Sequence, residues 1–166
     1  MTGGRPTPTP AGPGQESVWD YPRPPRVAST TEEVVVSFND VQIARTRGAW
    51  RVLETSHAPT YYIPRADVHW QYLIAIPQRT WCEFKGAASY ADVVVGDRTA
   101  PAACWWYASP TPRFAAIAGA VCFYPERVSA WVDGEPVRGV GGGFYGDWVT
   151  SRVVGPFKGP AGTEGW

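Results

Sequence analysis

Apolar residues in this chain fall in short runs, and the breaks between them are turn residues rather than polar helix faces. Val34-Val35-Val36-Ser37-Phe38, then Asn39-Asp40, then Val41-Gln42-Ile43-Ala44-Arg45 predicts a hairpin. Asn and Asp tolerate the left-handed dihedrals that a two-residue turn requires. Ala91 to Val95, Gly96-Asp97 and a strand reaching Cys104-Trp105-Trp106-Tyr107 predict a second hairpin. Val128 to Val132, Asp133-Gly134 and Glu135-Pro136-Val137 predict a third. Trp50 to Glu54 reads as a further strand. Val68 to Ile76, rich in β-formers, reads as a long central one. Helical spacing is confined to Arg113 to Ala120, with Phe114, Ile117 and Val121. The expected fold is therefore mainly β, antiparallel, with one short helix.

The two ends of the chain depart from this pattern. Residues 1–15 are Pro, Gly and Thr-rich, cannot bury apolar surface, and are expected to be a disordered tail. Residues 16–138 are expected to form the β domain, with order starting near Trp19 and Tyr21. Residues 139–166 contain Gly141-Gly142-Gly143 but also several aromatics, where a flexible linker would carry polar residues. They are expected to be an irregular segment pinned to the domain by Phe144, Tyr145, Trp148 and Phe157.

Composition narrows the function. The 166 residues suit one domain, and nine Trp, eight Tyr and six Phe supply large rigid surfaces for a core and for a pocket. Fifteen basic residues balance fifteen acidic ones and are scattered, which argues against nucleic acid and against an anionic membrane as partners. No apolar run approaches a membrane span and no signal-peptide pattern opens the chain, so the cytoplasm is the expected location. Cys82, Cys104 and Cys122 are odd in number and include no C-x-x-C pair, which argues against a disulfide framework and against a thiolate zinc site.

Three segments can carry chemistry. Glu54-Thr55-Ser56-His57-Ala58-Pro59-Thr60-Tyr61-Tyr62 packs a carboxylate, an imidazole and two phenols into nine positions. There His57 can move a proton, positioned by Glu54. Cys82-Glu83-Phe84-Lys85-Gly86 places a thiol near a cation that favours its thiolate, with Tyr90 downstream. In Cys104-Trp105-Trp106-Tyr107, strand alternation sends Trp105 and Tyr107 to the face opposite Trp106. One face belongs to the core and the other forms an aromatic wall. Gly141, Gly143 and Gly146 match a dinucleotide-turn spacing, but no helical pattern follows them, so no cofactor is expected. No G-x-S-x-G elbow, H-E-x-x-H helix or P-loop occurs.

Leu53-Glu54-Thr55-Ser56-His57-x-Pro59-Thr60-Tyr61-Tyr62-x-Pro64, then Cys82-x-Phe84-Lys85-Gly86-x-Ala88-x-Tyr90, then Trp106-Tyr107 and Phe123-Tyr124, resemble the domain-of-unknown-function family number 427. The likeness runs from about Glu16 to Trp166. The closing Gly-Gly-Phe-Tyr-Gly and Gly-Pro-Phe-Lys-Gly motifs resemble its longer, actinobacterial-type members. Glu83 departs from the Pro common in the family. The resemblance implies a β-tent-like fold, related to methionine sulfoxide reductases of the B type. The paired C-x-x-C zinc motifs of those relatives are missing here, so no zinc is expected. The family's nucleotidyltransferase-like label implies an Asp-x-Asp metal pair, which this sequence also lacks.

The expected function is binding of a small organic ligand, by a monomer or homodimer, with cofactor-independent acid–base catalysis of lyase, isomerase or cyclase type. His57, Glu54, Tyr62 and Lys85 are the expected catalytic residues, and Tyr61, Cys82, Tyr90, Trp106 and Tyr107 the expected substrate contacts. Two other readings stand beside it: a non-catalytic ligand- or partner-binding module, and a thiol reductase using Cys82 with Cys104 or Cys122 as resolving thiol.

Overall fold

The structure is a computed structural model and describes residues 4–166. Thirteen strands follow in chain order among the described residues. The first six are β1 (Glu16–Ser17), β2 (Arg26–Ser29), β3 (Val34–Phe38), β4 (Val41–Thr46), β5 (Trp50–Leu53) and β6 (Thr60–Tyr62). The long ones come next: β7 (Leu73–Cys82), β8 (Gly86–Val95) and β9 (Arg98–Trp106). The short β10 (Val121–Phe123), β11 (Ser129–Val132), β12 (Glu135–Pro136) and β13 (Val153–Val154) complete the set. All pairings are antiparallel except β1 with β13, which ties the two ends of the body together.

The three hairpins form as the turn residues dictate. Asn39 and Asp40 both have positive φ, 49° and 62°, and so do Asp133 and Gly134, 49° and 79°, the signature of type I′ turns. Gly96 supplies φ +60° between β8 and β9. The side-chain amide of Asn39 donates to the Val95 carbonyl at 3.1 Å, so the tip of one hairpin is fastened to the tip of another.

One sheet has the order β10-β9-β8-β7, and a second has β12-β11-β3-β4. Ile63 and Val121 exchange both backbone hydrogen bonds at 2.8 Å. That bridge continues the first sheet through β10 into the β6-β5-β2 sheet. The side chains of this extended sheet then divide by period two. One set (Tyr61, Ile63, Ala91, Val93, Cys104, Val121 and Phe123) packs against Val34, Val36, Ile43, Ala130 and Val132 of the second sheet and forms the main core. The other set (Val52, Tyr62, Ala88, Tyr90, Trp105, Tyr107 and Cys122) faces away from the second sheet.

Several expectations change here. Val68 to Ile76 is not one central strand. Val68 bridges Ala44 and the His69 amide donates to Ile43, so this stretch belongs to the second sheet. A 3-10 turn at Trp70–Tyr72 carries the chain across, and β7 then forms an edge of the first sheet. The edge position accommodates Pro77, which lies where the β7–β8 register shifts between Ile76 and Arg79. The short helix is two 3-10 turns over Pro112–Ile117, burying Phe114 and Ile117.

The end segments also differ in detail. Residues 4–15 form no strand or helix. Even so, the Thr9 amide donates to Gly155, the Gln15 side chain donates to Ser151, and Arg5 stacks over Trp19, so this stretch lies along the body. The aromatic C-terminal segment reaches deeper than a cover. Trp148 is fully buried in the main core, whereas Phe144, an expected anchor, is 75% exposed.

Candidate active-site cleft

The outward set of side chains is not covered by a second sheet. It floors a cleft of about 1040 Å³, walled by the β7–β8 hairpin turn, the Glu54–Thr60 loop and the segment 143–147. Of the nine residues singled out in the sequence, seven meet here: Glu54, His57, Tyr62, Cys82, Lys85, Tyr90 and Tyr107. Tyr61 and Trp106 do not, because alternation places them on the other face. The Tyr61 hydroxyl donates to Glu32 at 3.0 Å and its ring packs on Trp148 at 5.1 Å. Trp106 packs edge-on against Trp70 at 5.4 Å. Trp105 lines the cleft instead.

The loop that carries His57 is a tight turn closed by the His57 amide donating to the Glu54 carbonyl at 3.0 Å, with Ser56 at φ +73°. Ser56 is fully buried and its hydroxyl has no partner among the described residues. Ser56→Gly relieves both the left-handed strain and the orphaned hydroxyl. After the extra chain entropy of glycine is subtracted, a gain of about 1 kcal/mol is expected. A denaturant melt reads this directly, and an unchanged or lower midpoint would refute it.

Glu54 was expected to orient His57, and the geometry assigns that role elsewhere. The Glu54 carboxylate is 3.8 Å from His57 Nδ1 and is held by Arg23 at 3.3 Å. The Thr55 carbonyl accepts from Nδ1 at 3.0 Å, which fixes the proton on Nδ1 and leaves Nε2 as the basic nitrogen. Burial pushes the His57 pKa down, with the nearby Glu54 charge opposing it and Lys158 and Arg23 adding to it. The imidazole is thus neutral near pH 7 and its edge is supported by the ring of Tyr145 at 5.1 Å.

The floor is aromatic and hydrogen-bonded. Trp105 Nε1 donates to the Tyr62 hydroxyl at 3.2 Å, and Tyr90 and Thr80 share a hydrogen bond of 2.8 Å. Burial pushes the Tyr62, Tyr107 and Tyr124 phenols up, so all three keep their protons. Lys85 reaches over the rings of Tyr107 and Phe114, at 5.8 and 5.7 Å, and its ammonium makes no hydrogen bond or ion pair among the described residues.

Sequence reasoning missed Asp147. It is buried, it lines the cleft, and its Oδ2 has no hydrogen-bond partner among the described residues. Burial, reinforced by the Glu54 charge and opposed by Lys85, pushes its pKa well above the usual carboxylate range. Gly146 positions it: a Cβ there would sit 2.3 Å from the Trp105 ring, so only glycine lets this backbone close on the cleft floor. No local motif surrounds Asp147, and only its burial beside the cleft singles it out.

A family model described as Domain of unknown function (DUF427) matches residues 26–134. The chain belongs to this family. The matched DUF427 span holds the two-sheet body except β12, and the cleft floor from Val52 to Arg127. Asp147 and the remainder of the 143–147 wall lie beyond it. Among curated proteins none matches the chain. Among the described residues, no three His, Cys, Asp or Glu side chains of this DUF427 chain are grouped as a metal site would need, and no helix is long and apolar enough to cross a membrane.

Proposed function

We propose that this DUF427 domain is a small-molecule enzyme that performs acid–base chemistry with its own side chains, of lyase, isomerase or cyclase type. The observation that carries this reading is the pairing of two groups displaced in opposite directions within one aromatic cleft. Burial lowers the His57 pKa and leaves Nε2 as the basic nitrogen, and burial raises the Asp147 carboxyl well above the usual carboxylate range. Shifts in these directions bring the proton acceptor and the proton donor of an acid–base step toward coexistence at one pH. Tyr62 is a protonated phenol on the same floor, suited to hydrogen-bond an oxygen that gains charge.

A non-catalytic binding module is favoured by a different observation. Trp81 and Phe144 are each 75% exposed and both line the cleft, an arrangement that grips a ligand without reacting with it. The thiol reductase reading draws less support. Cys104 packs in the main core, on the opposite face of β9 from the cleft, and burial pushes its thiol up to about 12. Cys122 is fully buried and burial pushes its thiol well above the usual range too, which leaves a poor resolving nucleophile for Cys82.

The test is depletion of small molecules from a metabolite extract, followed by mass spectrometry, with wild type and His57→Ala side by side. The wild type is expected to convert at least one compound into an isomer or an elimination product. Loss of the base is expected to slow that conversion by about a hundredfold or more. Turnover that survives His57→Ala intact would refute the assignment of the base. Ligand capture with no turnover would replace the enzyme with the binding module.

A further inference from the structure

The chain as a whole is electrically neutral, yet its charges are not evenly shared with the cleft. Arg23, Lys85, Arg127 and Lys158 line it, against Glu54, Glu83 and Asp147. Four cationic side chains thus face three acidic ones, and burial holds the Asp147 carboxyl pKa well above the usual carboxylate range. Three of the four cations are already engaged. Arg23 pairs with Glu54, Arg127 donates to the Ala102 carbonyl at 2.6 Å, and Lys158 donates to the Trp166 main-chain oxygen at 3.3 Å. Lys85 rests on aromatic faces, and of the four it alone makes no hydrogen bond or ion pair among the described residues.

A buried carboxyl without a partner is costly. Asp147 is in that condition, and Lys85, partly buried with an unpaired ammonium, faces the same cleft, close enough that the Lys85 charge acts on the Asp147 carboxyl. One ligand that satisfies both needs an anionic oxygen for Lys85 and a second polar atom for Asp147. The floor between them is made of the flat faces and edges of Trp105, Tyr107 and Tyr124, which select a planar frame.

We infer that the cleft takes a planar organic carboxylate, an acid carried on an aromatic or conjugated frame, with Lys85 as its counter-ion and the Asp147 carboxyl as the hydrogen-bond partner of a neighbouring polar atom. This rests on the small-molecule reading above and names its ligand class. Arg127, stacked on Tyr124 at 4.0 Å, and Lys158 add positive potential at the rim and draw the anion in.

The test uses three probes of one shape: 2-naphthoate, 2-naphthamide and 2-naphthylmethylamine. Each is titrated into the full chain by calorimetry and by tryptophan fluorescence, with Lys85→Met and Lys85→Arg as variants and circular dichroism to confirm their folding. Naphthoate is expected to bind at least about tenfold more tightly than the amide, the effect of one charge-assisted hydrogen bond. Lys85→Met is expected to remove that preference by weakening naphthoate far more than the amide, and Lys85→Arg to keep it. Should acid and amide bind alike, or Lys85→Met bind naphthoate as wild type does, the anion class is overturned while the small-molecule cleft stands. A preference for the amine overturns the class as well. Binding of none of the three overturns the class and the small-molecule reading together.

Discussion

Trp148→Ala is expected to cost about 3–5 kcal/mol of folding stability, a large part of what a domain of this size possesses. The indole is fully buried in the main core, its ring lies 5.1 Å from that of Tyr61, and its Nε1 donates to the Phe123 carbonyl at 2.9 Å. Truncation therefore opens a cavity between the two sheets and also orphans a buried carbonyl, two penalties that add. The backbone gives a third link, since the Trp148 amide donates to Pro59 at 2.7 Å, beside the His57 loop. Trp148→Phe restores most of the ring but not the donor and is expected to lose roughly 1–2 kcal/mol. Urea melts of the three proteins check the ranking. A Trp148→Ala loss below about 0.5 kcal/mol, the range of a surface substitution, would show that the segment beyond the family match is dispensable to the core. The same logic predicts that a chain ending at 138 fails to fold as the full chain does.

That prediction marks a limit in what the sequence discloses. The hairpins were legible because their cause is local: Asn39-Asp40, Gly96-Asp97 and Asp133-Gly134 carry the turn within two residues, whatever the rest of the chain does. Val68 to Ile76 misled because its β-propensity is real while its pairing is not local. Val68 belongs to one sheet and Leu73 to another, and only the position of β4 and β8 in space decides where the crossing falls. For the 139–166 segment the limit has a related cause. Its glycines and aromatics signal irregular structure, but nothing in them tells Trp148, at the centre of the core, from Phe144, at the surface.

The candidate site was half legible on the same grounds. Alternation correctly separates Trp105 and Tyr107 from Trp106, yet period two cannot say which face meets the second sheet. The choice of Trp106 was therefore decided by the packing of Val34, Val36 and Ile43, residues sixty and more positions away. Tyr61 and Tyr62 divide in the same way on β6. Glu54 and His57 are neighbours in the turn, as their spacing suggests, but Thr55 offers a carbonyl nearer to Nδ1 than the carboxylate. Asp147 had no signal at all, because an aspartate becomes an acid through burial and not through its neighbours in sequence.

Asp147→Asn is expected to make the protein more stable at neutral pH, with a gain that grows as pH rises. An unfolded chain titrates this carboxyl near its ordinary value, whereas burial holds the folded-state pKa well above it. Between those two values the folded state binds the additional proton. Stability attributable to this group is therefore fully present below the unfolded pKa and is lost as pH rises toward the folded pKa. Asparagine is a neutral stand-in of the same shape and carries no such dependence. Each pH unit in that window should widen the difference in favour of the variant by about 1.4 kcal/mol, the free energy of one pKa unit. His57, whose pKa is lowered, contributes in the opposite sense as pH falls, but it is present in both proteins and cancels from the difference. Glu54 and Lys85 face the carboxyl in both proteins too. Urea melts of the pair from pH 4.5 to 8 read the difference at each step. Parallel curves would mean that Asp147 titrates as an ordinary carboxylate, and the acid of the proposed acid–base pair would then have to be sought in Tyr62. A widening gap together with lost turnover would tie the stability cost of keeping this carboxyl buried to the work it does in the cleft.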